Sequence, residues 1–205
     1  MITDTMYIGS GDVTQLMSGI NTKGFQSLLK RFVSGVKPYY NALSSPIDAC
    51  RTGAILELRC CLTLSQDYFY QYVVKCSDMD VFKASLDFAK LSNGKVCDFD
   101  ELKSISLNDY MDLMPYKDDY DERLKYIKKR YKHYYNQVQE QLMCAGIEKA
   151  NLVFLSVYTY NDEDNIRREI QPYEYIKTEI YRDEEVIQSI RDKAFIFQQI
   201  KNLYK

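Results

Sequence analysis

The sequence predicts an α/β fold, a central mixed β-sheet flanked by helices, and three observations predict it. Amphipathic helical runs open and close the 205-residue chain. Between them lie short aromatic and β-branched runs with the period of strands. The run Asn151–Tyr158 (NLVFLSVY) is apolar without alternation, as a strand buried on both faces is. No repeat, low-complexity stretch or Pro/Gly/Ser linker divides the chain, so residues 1–205 read as a single domain.

The elements follow in order. Residues 10–18 and 22–35 read as helices. In the second, Phe25, Leu28, Leu29, Phe32 and Val33 recur at helical spacing and mark a core face. Pro38 and the Ser44-Ser-Pro46 cluster mark a loop. Residues 47–65 form a long helix whose apolar positions are Ile55, Leu58 and Leu62, with Leu56 beside them. Tyr68–Lys75 reads as a strand. Residues 80–89 and 95–104 pair as two more across the Asn93-Gly94 turn, a dipeptide that accepts the positive φ angles of a tight hairpin. Residues 119–145 read as the longest helix and Tyr173–Tyr181 as a further strand. Asp183–Tyr204 is the closing helix, with Asp183 as its cap and acids in its first turn.

Composition excludes several classes. Hydrophobic residues are 46% and charged residues 27%, which is ordinary for a globular protein. No apolar run approaches the ~18 residues of a membrane span. The opening MITDTMYIGSGD has neither the basic nor the apolar region of a signal peptide, so a cytoplasmic protein is expected. The six cysteines form no C-x-x-C pair, and their spacing suits neither zinc nor a disulfide framework; reduced, mostly buried thiols are expected. A net charge of −2 is not the global signature of a nucleic-acid binder. The run Lys125–His133 (KYIKKRYKH) is a local concentration of cations, which reads equally as a solvated helix face or a backbone-binding groove.

The chemistry concentrates in ASLDFAKLSNGKVCDFDELKSIS, residues 84–106. Alternation along a strand puts Glu101 and Lys103 on one face. The hairpin can bring Asp87 to the same side. Two converging carboxylates repel, and a hard divalent cation such as Mg2+ or Mn2+ relieves that repulsion. A lysine beside the ion can hold a water for attack on a phosphate. A lone E-x-K is also common as a solvated surface pair.

The stretch resembles the P-D-(D/E)-x-K nuclease core, and the whole chain resembles the lambda exonuclease / YqaJ-type viral recombinase family. Four features, in order along the chain, carry the resemblance. Ile8-Gly-Ser-Gly-Asp-Val13 resembles the family's opening helix start with its serine. Thr52-Gly-Ala-Ile-Leu-Glu57 resembles its Gly-x-x-x-Glu helix. Ser85-Leu-Asp87 and Glu101-Leu-Lys103 stand where its two site strands do. Tyr134-Tyr-Asn-Gln-Val-Gln-Glu-Gln141 resembles its Tyr-x-x-Gln-x-Gln helix. Leu86 and Phe88 stand where the family has proline and glycine.

The resemblance implies a restriction-endonuclease-like core with Asp87, Glu101 and the Leu102 carbonyl as metal ligands and Lys103 positioning the attacking water. Glu57 would reach the metal directly or through water. Gln137 would orient Lys103 or the scissile phosphate. Ser10, Ser85 and Gln141 would contact substrate. His133, the only histidine, reads as a surface residue and not a general base. The implied function is Mg2+-dependent exonuclease action on double-stranded DNA ends, 5′ to 3′, yielding single strands for annealing-type recombination. The implied partners are a single-strand annealing protein and two further copies in a ring-like homotrimer, in a host cytoplasm. An endonuclease, a single-strand or branched-DNA nuclease, and a non-catalytic DNA-binding module are the alternatives. No arginine precedes Ser10, where the family's arginine grips a 5′ phosphate; Lys23, Lys30 and Arg31 follow it.

Overall fold

A computed structural model of the chain describes residues 6–36, 48–63, 67–157 and 169–204. Its elements are β1 (Ile8–Gly9), α1 (Val13–Met17), α2 (Lys23–Ser34), α3 (Asp48–Thr63), β2 (Phe69–Lys75), β3 (Phe82–Ser92), β4 (Lys95–Ser106), α4 (Leu107–Leu113), α5 (Tyr120–Arg130), α6 (Lys132–Ala145), β5 (Lys149–Val157), β6 (Tyr175–Tyr181) and α7 (Glu184–Asn202). Single 3-10 turns occupy Ser10–Asp12 and Met114–Tyr116.

The six strands form one mixed sheet. β3 pairs antiparallel with β2 and with β4; β4 runs parallel to β5, which pairs antiparallel with β6. The Asn93-Gly94 turn is the expected hairpin, with φ of 51° and 73° and Ser92 opposite Lys95. Two apolar layers flank the sheet. The larger joins Val13, Leu28, Phe32, Val138, Leu142 and Phe197 from the helices to strand residues such as Phe82 and Phe154. The smaller seats α3 on the sheet through Leu56, Cys60, Phe88, Leu102, Val153 and Leu155. Strand β5 is buried from Leu152 through Ser156, which is why its sequence does not alternate.

Four expectations need correction. The helix expected over 119–145 is two helices. Tyr131 breaks it at φ −117°, ψ 35°, because its ring turns into the core against Phe154, centroids 4.8 Å apart. The apolar face of α3 is Leu56 and Cys60; Leu58 is 40% exposed. The helix lies on a thin layer, so its periodicity is blurred. Val33 is exposed at the rim of α2, whereas Phe25, Leu28, Leu29 and Phe32 are buried. Strand β1 and helix α4 are additions. Two residues are too few to show a period, and Ser106 starts α4 as a cap by accepting the Asp109 amide at 3.1 Å. Pro38, Ser44–Pro46, the Leu62 side chain and Tyr158 lie outside the described residues. Cys60, Cys61, Cys76, Cys97 and Cys144 are free thiols. No described helix is long and apolar enough to cross a membrane.

Candidate active site

The site forms where the β3–β4 ladder opens. The two strands pair from Ser92–Lys95 to Phe88–Asp100, and there the pairing stops. Beyond Asp100, strand β4 continues on β5 alone, as far as Ser106–Val157. The same edge of β3 is taken up again by β1, with Ile8 opposite Phe82. Residues 84–87 of β3 therefore face a gap. Asp87 spans it: its Oδ2 accepts the Leu102 amide N–H at 2.8 Å, so a carboxylate replaces a main-chain carbonyl in the ladder.

Glu101 is buried, at 1% exposure. Its Oε1 accepts Lys103 Nζ at 2.6 Å and Gln137 Nε2 at 2.5 Å. Its Oε2 accepts Gln141 Nε2 at 2.6 Å. Gln137 and Gln141 are one turn apart on α6, so one helix face delivers both amides. Gln141 also donates to the Ser85 carbonyl at 3.0 Å, on the side of β3 that lost its strand partner. It thus ties β3 to β4 through Glu101. The Lys103 ammonium lies 5.4 Å from the Tyr134 ring centroid.

Electrostatics mark this cluster. Burial pushes the Asp87 carboxyl well up, and Glu101 and Glu57 add to it against the pull of Lys103. Glu57, on α3, is raised by burial, then lowered by Lys103 and raised by Glu101. Burial disfavours the Lys103 charge, but Glu101 and Asp87 outweigh it and hold the ammonium above its ordinary value. Lys103 is thus a cation and hydrogen-bond donor, not a ready base. His133 is lowered by burial and by Lys103, and its exposed position matches the surface reading.

A cavity of about 570 Å³ opens on the cluster. Asp87, Glu101, Lys103 and Gln137 line it, together with Ser10 and Ser85. Arg31 and Lys83 line it as well, and Arg31 is paired with Asp12 at 2.6 Å. Ser10 is buried and Ser85 exposed. Gln141 is fully buried behind Glu101, with its Oε1 unpartnered. Leu102 contributes its amide to Asp87 and its side chain to the smaller core. Lys83, Tyr70 and Gln71 are additional residues at the site. Nothing in their spacing announced them, because the strand partner of Asp87 is set by register.

Among the described residues no three His, Cys, Asp or Glu side chains form a ready metal cage. Mg2+ needs none, since one or two carboxylates and several waters suffice. Each carboxylate oxygen carries two lone pairs, and Glu101 Oε2 is engaged by one donor, Gln141. Burial does most to raise the Asp87 and Glu57 carboxyls, and the like charge of Glu101 adds to both; a divalent ion would favour their charged forms. Asp87 and Glu101 therefore fit a two-carboxylate ion site, with Glu57 beside it.

No protein-family model matches the sequence, and no curated protein matches it. Solved structures do match the fold. LHK-Exo in complex with dAMP superposes with a TM-score of 0.63 at 16% identity, covering 96% of this chain and 88% of that one. A second structure of that alkaline exonuclease, from Laribacter hongkongensis, gives 0.59 at 14%, over the same shares. A phage-related exonuclease from Haemophilus somnus gives 0.63 at 12%, covering 97% and 94%. The six-stranded mixed sheet and its flanking helices are thus the fold of these exonucleases.

Proposed function

We propose that the chain is a Mg2+-dependent exonuclease, tolerant of Mn2+, that digests one strand of duplex DNA from a free end. The observation that carries this reading is the convergence of Asp87, Glu101, Lys103 and Gln137 on one cavity at the opening of β3 and β4. The fold shared with exonucleases supports it, and LHK-Exo binds dAMP, a mononucleotide of the kind such digestion releases.

Asp87 and Glu101 would hold the ion, with the Leu102 carbonyl assisting and Glu57 reaching it directly or through water. The ion supplies Lewis acidity, lowering the pKa of a water and neutralising charge on the phosphate. Lys103 donates hydrogen bonds to the attacking water or a phosphate oxygen. Gln137 and Glu101 fix the Lys103 ammonium. Water adds to phosphorus, the bond from phosphorus to the 3′ oxygen breaks, and the water's proton ends on that 3′ hydroxyl. The released nucleotide carries a 5′ phosphate.

Polarity is proposed as 5′ to 3′. Lys83 puts positive charge on the same cavity as Ser10 and Ser85, and Arg31 lines it paired with Asp12, a set of donors suited to a terminal phosphate. Arg31 comes from α2, after Ser10 in sequence. Exposed Lys129 at the end of α5 and Lys132 and His133 at the start of α6 lead toward Gln137, as a track for the DNA backbone. A ring-like homotrimer, a single-strand annealing partner and a cytoplasmic setting belong to the same proposal.

The test uses linear duplex labelled at its 5′ or 3′ end, beside a closed circle, with Mg2+. Mononucleotides should appear from linear DNA alone, 5′ label first, and Lys103→Ala should lose about 10²–10³-fold in rate. Nicked circles would replace this reading with an endonuclease. Binding without Lys103-dependent cleavage of any substrate would leave a DNA-binding module.

A further inference from the structure

Gln71 holds a left-handed backbone conformation, φ 50°, inside strand β2. Among the described residues outside glycine, only Asn93 of the hairpin turn shares a positive φ. The Asn93 conformation belongs to its turn type, but Gln71 has no turn to explain it. Left-handed backbone is costly for a residue with a long side chain. The register says where this strain sits. Tyr70 pairs with Phe88 and Tyr72 with Leu86, and the rung between them, Gln71 opposite Asp87, is skipped. The strained residue is therefore the strand neighbour of a proposed ion ligand.

The conformation has a product. In a regular strand, neighbouring side chains point to opposite faces. Here the neighbours Tyr70 and Gln71 meet, with Gln71 Nε2 donating to the Tyr70 hydroxyl at 3.0 Å. That hydroxyl donates in turn to Glu57 Oε2 at 3.3 Å. The Tyr70 ring packs on Phe88, centroids 5.4 Å apart, which fixes its reach. The smaller apolar layer seats α3 on the sheet, and the Tyr70 hydroxyl reaches the Glu57 carboxylate that α3 carries.

We propose that Tyr70 and Gln71 are positioning residues that aim the Glu57 carboxylate at the ion held by Asp87 and Glu101, and that the strain at Gln71 is what turns both side chains toward it. The proposal deepens the nuclease reading and rests on it. Strained backbone at a site persists where surrounding structure over-determines it. Partners that orient a ligand govern ion affinity more than the chemistry of the step.

Tyr70→Phe and Gln71→Gly separate aiming from folding. Glycine adopts a positive φ without strain, so Gln71→Gly removes the amide and the strain together. The metal-free melting temperature of Gln71→Gly should rise by about 2–4 °C. Mn2+ binding, titrated by electron paramagnetic resonance without DNA, should weaken about 10-fold in each variant. The Mn2+ concentration that half-saturates cleavage should rise in parallel, with the rate largely recovered at high Mn2+. A Gln71→Gly protein that is stabilised but binds Mn2+ as the parent does would overturn the proposal, since the strain would then serve nothing at Glu57. An unchanged Tyr70→Phe would overturn it too. If the parent protein cleaves DNA, either result leaves the nuclease reading intact. If the parent neither binds Mn2+ nor cleaves, that reading falls and takes this proposal with it.

Discussion

Glu101 receives three nitrogen donors, and they are unequal in what they can lose. Lys103 and Gln137 border the cavity, where water can replace a missing donor. Gln141 is fully buried, where water cannot. Gln141→Leu keeps the volume but leaves Glu101 Oε2 and the Ser85 carbonyl short of a donor. A buried acceptor left unsatisfied costs about 1–3 kcal/mol, more when charged. The expected result is a loss of about 2 kcal/mol by urea unfolding, with a fall in nuclease rate of at least about 10-fold. Gln137→Leu should cost rate with less effect on stability. At this scale the sequence was legible in its acids and lysine, because Asp87, Glu101 and Lys103 sit at fixed intervals on two strands joined by a two-residue turn. The Gln137–Gln141 pair was legible as one helix face. That Gln141 turns away from the cavity to brace Glu101 was not legible, since it depends on how deep α6 sits against the sheet. Tyr70 and Gln71 were silent, because a backbone angle leaves no residue signature when glycine is not used.

The break between α5 and α6 shows how an element can mislead. The run 119–145 has helical apolar spacing on both sides of Tyr131, and no Pro or Gly interrupts it. Burial of one aromatic ring decided the matter. Tyr131 sits against Tyr126, Tyr134 and Phe154, and its hydroxyl is buried without a partner. The ring stabilises the fold while its hydroxyl opposes it. Tyr131→Phe should therefore gain about 1 kcal/mol, whereas Tyr131→Ala should lose about 3–5 kcal/mol. Thermal melts of the two variants, moving in opposite directions, would check the account. α3 misled for the opposite reason. Its buried stripe, Leu56 and Cys60, is too narrow to outweigh the apolar residues on its other faces.

For the molecule as a whole, order and type of the long elements were readable, and with them a mixed sheet between helices. The ladder opening was not, because it follows from β4 leaving β3 for β5. Burial that no single motif announces also reaches global stability. Glu140 is fully buried on α6; burial pushes its carboxyl up to about 7, against the hydrogen bond from Cys144. An unfolded glutamate titrates near 4.5. Between those values the native chain keeps a proton that the unfolded chain releases. Stability of the metal-free protein should therefore fall as pH rises from about 4.5 through about 7, by on the order of 3 kcal/mol, and then level off. Glu140→Gln should flatten that part of the profile in denaturant titrations run across the range.

The Leu102 amide lends the sheet an observable of its own. Its proton points at the Asp87 carboxylate and not at a neighbouring strand's carbonyl. A hydrogen bond to an ionised acceptor is shorter and stronger than one to a neutral acceptor. The nuclear resonance of that proton accordingly follows the charge on Asp87. It moves when the carboxyl takes up a proton and again when a cation draws the charge away. A non-ionising main-chain group thus becomes a spectroscopic gauge of how the gap is filled.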